Sequence, residues 1–268
     1  MAINNNLESF KRDMWEAAII EAYKEASIAE MITIAPSSVE GKSAIFHVMN
    51  VGGLKDYDGQ VDIDEVLAPT AIELVYDQKK YWAIQVDDVN NIQLHADLML
   101  PTANNLGHQI KKAVETAVFE EAAAKAGEKI TGKTINTPEE AYDHLVDMAV
   151  ALDEKNVPAE GRYVVCSPAF IALLQKDSRV LAYSGQAVMP NGIVNMEVAG
   201  LQIVKSNNVP EGTAIAIQKD AVVLGVQLEK TEAYRSHDAF ADVMRGLCVF
   251  GVKAVKEDNI VVLQYTIA

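Results

Sequence analysis

Apolar residues recur at helical spacing in three parts of the chain. The longest stripe covers residues 104–126, where Lys and Glu occupy the opposite side and Gly127 follows the last periodic position. Thr137 and Glu140 then form a capping-box pattern, which marks the start of a second helix. A further stripe at residues 7–31 lies near the N-terminus. The pattern therefore predicts three amphipathic helices.

Alternating or short apolar runs predict strands elsewhere. Residues 72–76 and 82–86 both alternate, and the polar residues 77–80 between them predict a hairpin. A long two-stranded hairpin is only marginally stable by itself in water, so it needs another part of the protein to pack against. Further strands are predicted at residues 44–49, 163–166, 214–217, 221–228, 247–255 and 260–265. Without repeats or a low-complexity linker, this order of elements predicts one interwoven α+β architecture.

The segment 157–210 predicts a compact, turn-rich unit. Ser167 is the expected N-cap of a short helix, with Pro168 at its first position. Two alternating strands, 193–198 and 201–204, meet at an Ala-Gly pair, and an Asn-Asn-Val-Pro turn ends the unit.

Composition and charge exclude several classes of protein. The chain has 268 residues, of which 50% are hydrophobic and 23% charged, as in a globular domain. Its net charge of −15 disfavours binding to nucleic acid or to an anionic membrane. No apolar run approaches the ~20 residues that span a bilayer, and the polar N-terminus does not resemble a signal peptide. We therefore expect a protein that is made in the cytosol.

Residues 127–134 match the phosphate-loop pattern GxxxxGK[ST]. A working phosphate loop follows a buried strand and opens directly into a helix. Here the preceding residues form an Ala/Glu/Lys helix, and the next helix has its own cap at Thr137. We therefore interpret this segment as a coincidental loop between two helices.

The remaining candidate chemistry is weak. Cys166 and Cys248 lie in apolar segments and are expected to be buried free thiols. The five histidines have no metal-binding spacing, and no nucleophile elbow is present. We therefore expect no catalytic residues, no cofactor and no metal.

Four parts of the chain, in this order, resemble the major capsid proteins of tailed bacteriophages with the Hong Kong 97-type fold. The run GGLKDYDGQVDIDEVLAPTAIELVYDQKKYWAIQVDD is similar to the extended loop (E-loop) and its adjoining strands. The helix at 104–126 is similar to the spine helix, and segment 157–210 to the axial (A) domain. The run DVMRGLCVFGVKAVKEDNIVVLQ resembles the returning strands of the peripheral (P) domain. The resemblance covers nearly the whole chain and is carried by the order of elements.

The resemblance implies an α+β capsid fold with four regions. These are an N-terminal arm and helix at 1–39, the E-loop and adjoining strands at 40–86, a P domain with the spine helix at 87–136 and 229–256, and an A domain at 137–228 and 257–268. The N-terminal helix then either packs on its own subunit or lies across a neighbouring one.

The implied function is that of a major capsid subunit, not an enzyme. Copies are expected to form pentamers and hexamers of an icosahedral shell that encloses double-stranded DNA without binding it specifically. The shell is assembled in the host cytoplasm, and the protein is then located in the virion. Two alternatives remain: a nanocompartment shell of the same fold and a monomeric binding module.

The resemblance also points to residues that contact neighbouring subunits. These are Phe10 and Trp15 on the arm helix, and Lys55, Asp56 and Tyr57 on the E-loop. The alternative for each aromatic residue is packing within its own subunit.

Two further expectations concern the assembly of the shell and the covalent cross-linking of its subunits. The chain begins almost directly at the arm, so we expect a separate scaffolding protein, with a portal as a further partner.

Some capsid proteins form a covalent cross-link between a Lys on the extended loop and an Asn of a neighbouring subunit. Here Lys42, Lys55 and the Asn207-Asn208 pair are available, but the sequence shows no carboxylate placed to assist, and we expect no cross-link.

Overall fold

The computed structural model describes residues 14, 16–24, 27–36, 38–40, 43–49, 69–87, 99–177, 179, 193–236, 238 and 241–267. Its helices are α1 (16–24), α2 (Ala29–Ile32), α3 (Met99–Lys125), α4 (Pro138–Glu154) and α5 (Pro168–Leu174). The strands preceding α4 are β1 (Ser38–Glu40), β2 (Ser43–Met49), β3 (Pro69–Val75), β4 (Gln78–Asp87) and β5 (Glu128–Ile135). The later strands are β6 (Arg162–Cys166), β7 (Ile193–Val198), β8 (Leu201–Lys205), β9 (Thr213–Gln218), β10 (Val222–Arg235), β11 (Ala241–Ala254) and β12 (Ile260–Ile267).

The predicted caps of α4 and α5 are present. The Thr137 hydroxyl accepts a hydrogen bond from the Glu140 N–H, and the Glu140 carboxylate accepts one from the Thr137 N–H at 3.2 Å. At α5, the Ser167 hydroxyl accepts from the Phe170 N–H at 3.3 Å. Each cap satisfies N–H groups that a first helical turn leaves free.

The largest sheet has six strands in the order β5-β12-β9-β6-β8-β7. Strand β12 runs parallel to β5 and antiparallel to β9, so it lies inside the sheet. Strands β7 and β8 form the predicted hairpin, with Ala199 and Gly200 at φ of 50° and 77°. Two successive positive φ values match the twist of a two-residue hairpin turn.

Both faces of the six-stranded sheet are buried at its inner strands. Alternate residues of β9 point to opposite sides, and all six are buried. Ala214 and Ala216 pack with α4 and α5, whereas Ile215 and Ile217 pack with α3. The sheet therefore separates two hydrophobic clusters, and helix α3 belongs to only one of them.

Two three-stranded sheets complete the described fold, with orders β10-β11-β4 and β1-β2-β3. They correct the hairpin predicted for residues 72–86. Strands β3 and β4 do occur there, but β3 pairs with β2 and β4 pairs with β11. The extended hairpin of the fold is instead β2–β3, whose ends enclose residues 50–68. The alternation of apolar and polar residues identified the two strands correctly. Their pairing, in contrast, was decided by longer hydrogen-bonded ladders with strands that are distant in sequence.

The phosphate-loop pattern also has a different structure from the one predicted. Residues 128–135 form β5, an edge strand of the six-stranded sheet, and not a loop. The register against β12 shifts near Gly132, whose φ is 72°. Because the segment runs along β12 as a strand, it does not form the concave loop that cradles phosphate.

The predicted N-terminal helix is interrupted. Residues 16–24 are helical, Ser27 and Ile28 are not, and α2 follows. Ile19 and Tyr23 are buried in the same cluster as α3. Residues 16–24 therefore pack on their own subunit, and the contact of the N-terminal arm with a neighbouring subunit stays a prediction.

Candidate assembly surfaces

The five predicted contact residues, Phe10, Trp15, Lys55, Asp56 and Tyr57, lie outside the described residues, as does Lys42. Their roles stay predictions. What the structure describes are the elements that carry these segments: the β2–β3 hairpin and the N-terminal helix.

The base of the β2–β3 hairpin is fixed tightly to β10 and β11. Val75 packs so closely that a Cβ added to Gly251 would clash with the Val75 carbonyl oxygen. Lys253 Nζ donates a hydrogen bond to the Glu73 carbonyl oxygen at 2.9 Å. Leu74 is buried in a cluster with Ala44, Tyr76, Val223 and Val249. The hairpin therefore extends from a rigid support, and burial raises the pKa of Tyr76 within it.

The N-terminal helix crosses α3 at a glycine. A Cβ added to Gly107 would lie 2.7 Å from the Ala22 Cβ and 3.0 Å from the Tyr23 nitrogen. This separation is shorter than normal van der Waals contact, so only glycine permits so close a crossing.

Glu115, on α3, is fully buried and joins three separate segments. Its Oε1 accepts a hydrogen bond from the Ile28 N–H at 3.0 Å. Its Oε2 accepts from Ser206 Oγ at 3.2 Å and from Asn208 Nδ2 at 2.7 Å. Lys111 Nζ lies 3.7 Å from Oε1. A buried carboxylate is tolerated here because a cation and three donors surround it.

Sequence reasoning missed Glu115, because its position lies outside the predicted apolar stripe of the long helix, on the side where Lys and Glu are expected to be solvated. Its contact with Asn208 also bears on the cross-link prediction. The Asn208 amide is hydrogen-bonded within its own subunit, whereas Asn207 is exposed. The absence of a cross-link stays a prediction.

A second buried carboxylate fixes the chain just after α5. Asp177 is fully buried and accepts hydrogen bonds from Arg179, including one from Nη2 at 2.8 Å. Arg179 also donates to Asp143 on α4 at 3.0 Å, and its guanidinium lies 4.2 Å from the Tyr142 ring centroid. Hydrogen bonding to Arg179 lowers the pKa of Asp177, and the same contact raises the pKa of Arg179. This clamp ties the residues that follow α5 to helix α4.

The two cysteines are free and buried, as predicted. Burial raises the pKa of Cys248 to about 11 and raises that of Cys166 further. Neither thiol therefore ionises near neutral pH, and a reactive role is disfavoured.

In the part of the chain that the structure describes, no helix is long and apolar enough to cross a membrane.

The sheet β10-β11-β4 is covered by α3 on one side only. On the other side, away from its contact with the hairpin base, lies a surface that we call the outer face: Tyr81, Ala83, Gln85, Tyr234 and Arg245. Tyr81 is 83% exposed and Tyr234 is 44% exposed. Arg245 pairs with Glu232 and lies 5.2 Å from the Tyr234 ring centroid. Sequence reasoning did not single out this face, although the inward direction of Trp82 places Tyr81 outward.

Comparisons with known proteins agree with this architecture. The family model described as phage capsid protein matches residues 73–263, which is more than half of the chain. Among curated proteins, none matches the chain significantly in sequence.

Solved structures share the fold over most of their length. A structure from Mycobacterium phage Che8 is 24% identical with a TM-score of 0.68, covering 84% of this chain and 85% of its own. The capsid structure of cyanophage P-SCSP1u is 19% identical with a TM-score of 0.71, covering 91% and 89%. A virus-like particle from Pyrococcus furiosus is 16% identical with a TM-score of 0.66, covering 94% and 98%. These similarities confirm the α+β capsid fold.

Proposed function

Since the chain belongs to the phage capsid protein family, we propose that its copies form pentamers and hexamers of an icosahedral shell around double-stranded phage DNA. The family itself makes the chain a structural protein of the virion that assembles with copies of itself into a shell. The number of subunits per capsomer and the DNA content are the proposed part. The match of residues 73–263 to the family is the observation that carries the proposal.

The acidic net charge supports a shell that does not bind the DNA inside it. A net charge of −15 repels the phosphate backbone, so packaged DNA is held by enclosure and not by specific contacts. A separate scaffolding protein and a portal are the proposed helpers, and the host cytoplasm is the proposed place of assembly.

The rigid hairpin base supports the proposed contacts of the E-loop. Because β2 and β3 are fixed on β10 and β11, the two strand ends that are joined by the segment 50–68 are held in place. Lys55, Asp56 and Tyr57 within it, together with Phe10 and Trp15, are the proposed contacts to neighbouring subunits. The four regions bounded at 1–39, 40–86, 87–136 with 229–256, and 137–228 with 257–268 stay a proposed division.

Sedimentation velocity and negative-stain microscopy of the expressed chain test the function, over a range of concentration and salt. Closed shells, tubes or capsomer rings are expected, alone or with a co-expressed scaffolding protein. A monomer at every concentration, with or without that partner, contradicts the proposal and supports a monomeric binding module.

The nanocompartment alternative is tested by the particle contents. Shells isolated from infected cells are expected to contain double-stranded DNA and to release it on disruption. Shells filled with an enzyme instead would identify a nanocompartment.

A further inference from the structure

Glu115 holds two distant parts of the chain on the two oxygens of one buried carboxylate. On one side, Oε1 accepts a hydrogen bond from the Ile28 N–H at 3.0 Å. On the other side, Oε2 accepts from Ser206 Oγ at 3.2 Å and from Asn208 Nδ2 at 2.7 Å. Ile28 immediately precedes α2, whereas Ser206 and Asn208 belong to the loop 206–212 that joins β8 to β9. Among the described residues, no hydrogen bond joins this loop directly to Ile28.

The contact of Ile28 follows from the interruption of the N-terminal helix. The Ser27 N–H donates to the Lys24 carbonyl oxygen at 3.4 Å, which ends a helical turn. The next N–H, that of Ile28, donates to Glu115 instead. Because Ile28 is buried, loss of this acceptor would leave its N–H unsatisfied. The N-terminal segment, α1 and α2, therefore depends on Glu115 at this point.

The loop 206–212 depends on the same carboxylate through Ser206. The Ser206 hydroxyl donates to Glu115 and accepts from the Asn208 N–H at 3.2 Å. The Ser206 N–H donates to the Cys166 carbonyl oxygen at 3.1 Å, at the end of β6. Ser206 is also buried, so the orientation of its hydroxyl is decided by the carboxylate and not by water.

Burial makes these contacts depend on one another. The carboxylate of Glu115 is stabilised by its three donors and by Lys111, whose Nζ lies 3.7 Å from Oε1. Loss of one donor leaves the buried charge less stabilised, which favours rotation of the carboxylate and weakens the hydrogen bonds that remain. Contacts within one such network are therefore not additive.

We propose that Glu115 couples the N-terminal segment to the loop 206–212, so that release of one from the carboxylate also releases the other. The two states are a closed one, in which both oxygens have their donors, and an open one, in which neither has. The coupling free energy is the same in both directions. In a shell, a neighbour that displaces the N-terminal segment would thereby also move the loop. The coupling itself is a property of the single subunit and goes beyond the shell function.

Asn208→Ala tests the coupling, because Asn208 is bonded to Glu115 and not to Ile28. In the unassembled subunit, this variant should raise the hydrogen-exchange rate of the Ile28 amide about tenfold, a coupling of the size found between residues of one network. Exchange at single amides reports local opening. If Glu115 held the two segments independently, opening at Ile28 would not involve Asn208, and the rate would stay the same.

Two controls accompany this variant. Asn207→Ala, at the neighbouring exposed position, should leave the Ile28 exchange rate unchanged. Thr137→Ala removes the cap of α4, which packs in the other hydrophobic cluster, and lowers the stability of the whole subunit. It should also leave the Ile28 rate unchanged.

An exchange of donor and acceptor provides a second test. Glu115→Gln keeps an oxygen for the Ile28 N–H but brings a second amide group against Asn208 Nδ2, so that two donors meet. Asn208→Asp alone brings a second carboxylate against Glu115. The combined variant again places one donor opposite one acceptor. Each single substitution should raise the Ile28 exchange rate about tenfold, and the combined variant should return it to within about threefold of the original rate.

An Ile28 exchange rate that Asn208→Ala leaves unchanged would overturn the coupling. A rise that Thr137→Ala reproduces would also overturn it, because the amide would then report general stability. Should Asn208→Ala fail to fold, the combined variant decides, and a rate as high as that of Glu115→Gln would overturn the proposal. Since all rates are measured on the unassembled subunit, a failure to form shells contradicts the proposed function and leaves this test intact.

Discussion

The six-stranded sheet and the sheet β10-β11-β4 share helix α3 but differ in what they leave uncovered. The inner strands of the six-stranded sheet are buried on both faces, and a bulge interrupts its β5 edge. The three-stranded sheet has an outer face with Tyr81 and Tyr234, and its regular last strand, β4, has no second partner among the described strands. From this comparison we propose a division of roles, in which the first region supplies the stability of the subunit and the second supplies contacts.

The largest expected effect comes from the core of the six-stranded region. Phe170→Ala should lower the free energy of unfolding by about 3–5 kcal/mol, because this fully buried ring packs 5.0 Å from the Tyr265 ring. Urea denaturation of the unassembled subunit measures the loss. Val150→Ala, at an exposed position of α4, is the control and should change stability little. A loss below about 1 kcal/mol for Phe170→Ala would contradict the assigned role of this core.

Loss of the Glu115 carboxylate should have the next largest effect. Glu115→Ala leaves the donors of Ile28, Ser206 and Asn208 without their acceptor and should cost about 2–4 kcal/mol. Glu115→Gln keeps one acceptor oxygen and should cost less. Hydrogen exchange at the Ile28 amide is the specific measurement, since its protection should fall in both variants. Unchanged protection would show that the N-terminal segment is held by other contacts.

A methyl group at the helix crossing should have a smaller and more local effect. Gly107→Ala should destabilise the packing of α1 on α3 by about 1–3 kcal/mol, partly offset by the better helix propensity of alanine. Limited proteolysis near residues 16–24 should become faster. Asn105→Ala, exposed on the same helix, is the matched control. Equal cleavage rates in both variants would mean that the crossing adapts without cost.

The clamp at Asp177 predicts a pH dependence. Its pKa is lowered in the folded state, so its contribution is complete above the unfolded pKa of about 3.9 and is lost as pH falls through the folded pKa. Between pH 7 and pH 3, the urea midpoint of Asp177→Asn should therefore fall less than that of the unsubstituted chain. An identical fall would assign the acid sensitivity to other carboxylates.

The smallest effect on folding is expected on the outer face. Tyr81→Ser should change the free energy of unfolding by no more than about 0.5 kcal/mol, because the side chain is mostly exposed. The same variant should reduce the yield of shells, which sedimentation measures. A large loss of stability, or normal assembly, would remove the distinction between the two regions.

Local sequence patterns predicted most helices and strands, because the spacing of apolar residues and the capping residues are local properties of the sequence. The stripe at 104–126 identified α3, and Thr137 with Glu140 identified the start of α4. Pairing was harder, since β3 and β4 are neighbours in sequence but bind different partners. The strand β5 was missed because its mixed Lys, Gly and Thr residues become a strand only beside the distant β12.

The candidate surfaces depended even more on long-range contacts. The three hydrogen-bond donors to Glu115 lie 87 to 93 residues away along the chain, a distance over which no local pattern operates. Tyr81 could have been identified, because alternation with the buried Trp82 already placed it outward.

The position of β12 has a consequence for the time course of folding. Thr134 on β5 and Thr266 on β12, 132 residues apart in the chain, have hydroxyls 3.4 Å apart. Until β12 is synthesised and inserted, β5 has no neighbour in the sheet and one side of β9 is open. Such distant pairings slow folding and leave apolar strands exposed in the meantime. A chain made in many copies at once therefore spends its most aggregation-prone interval before this last insertion, when chaperones would have the greatest effect on yield.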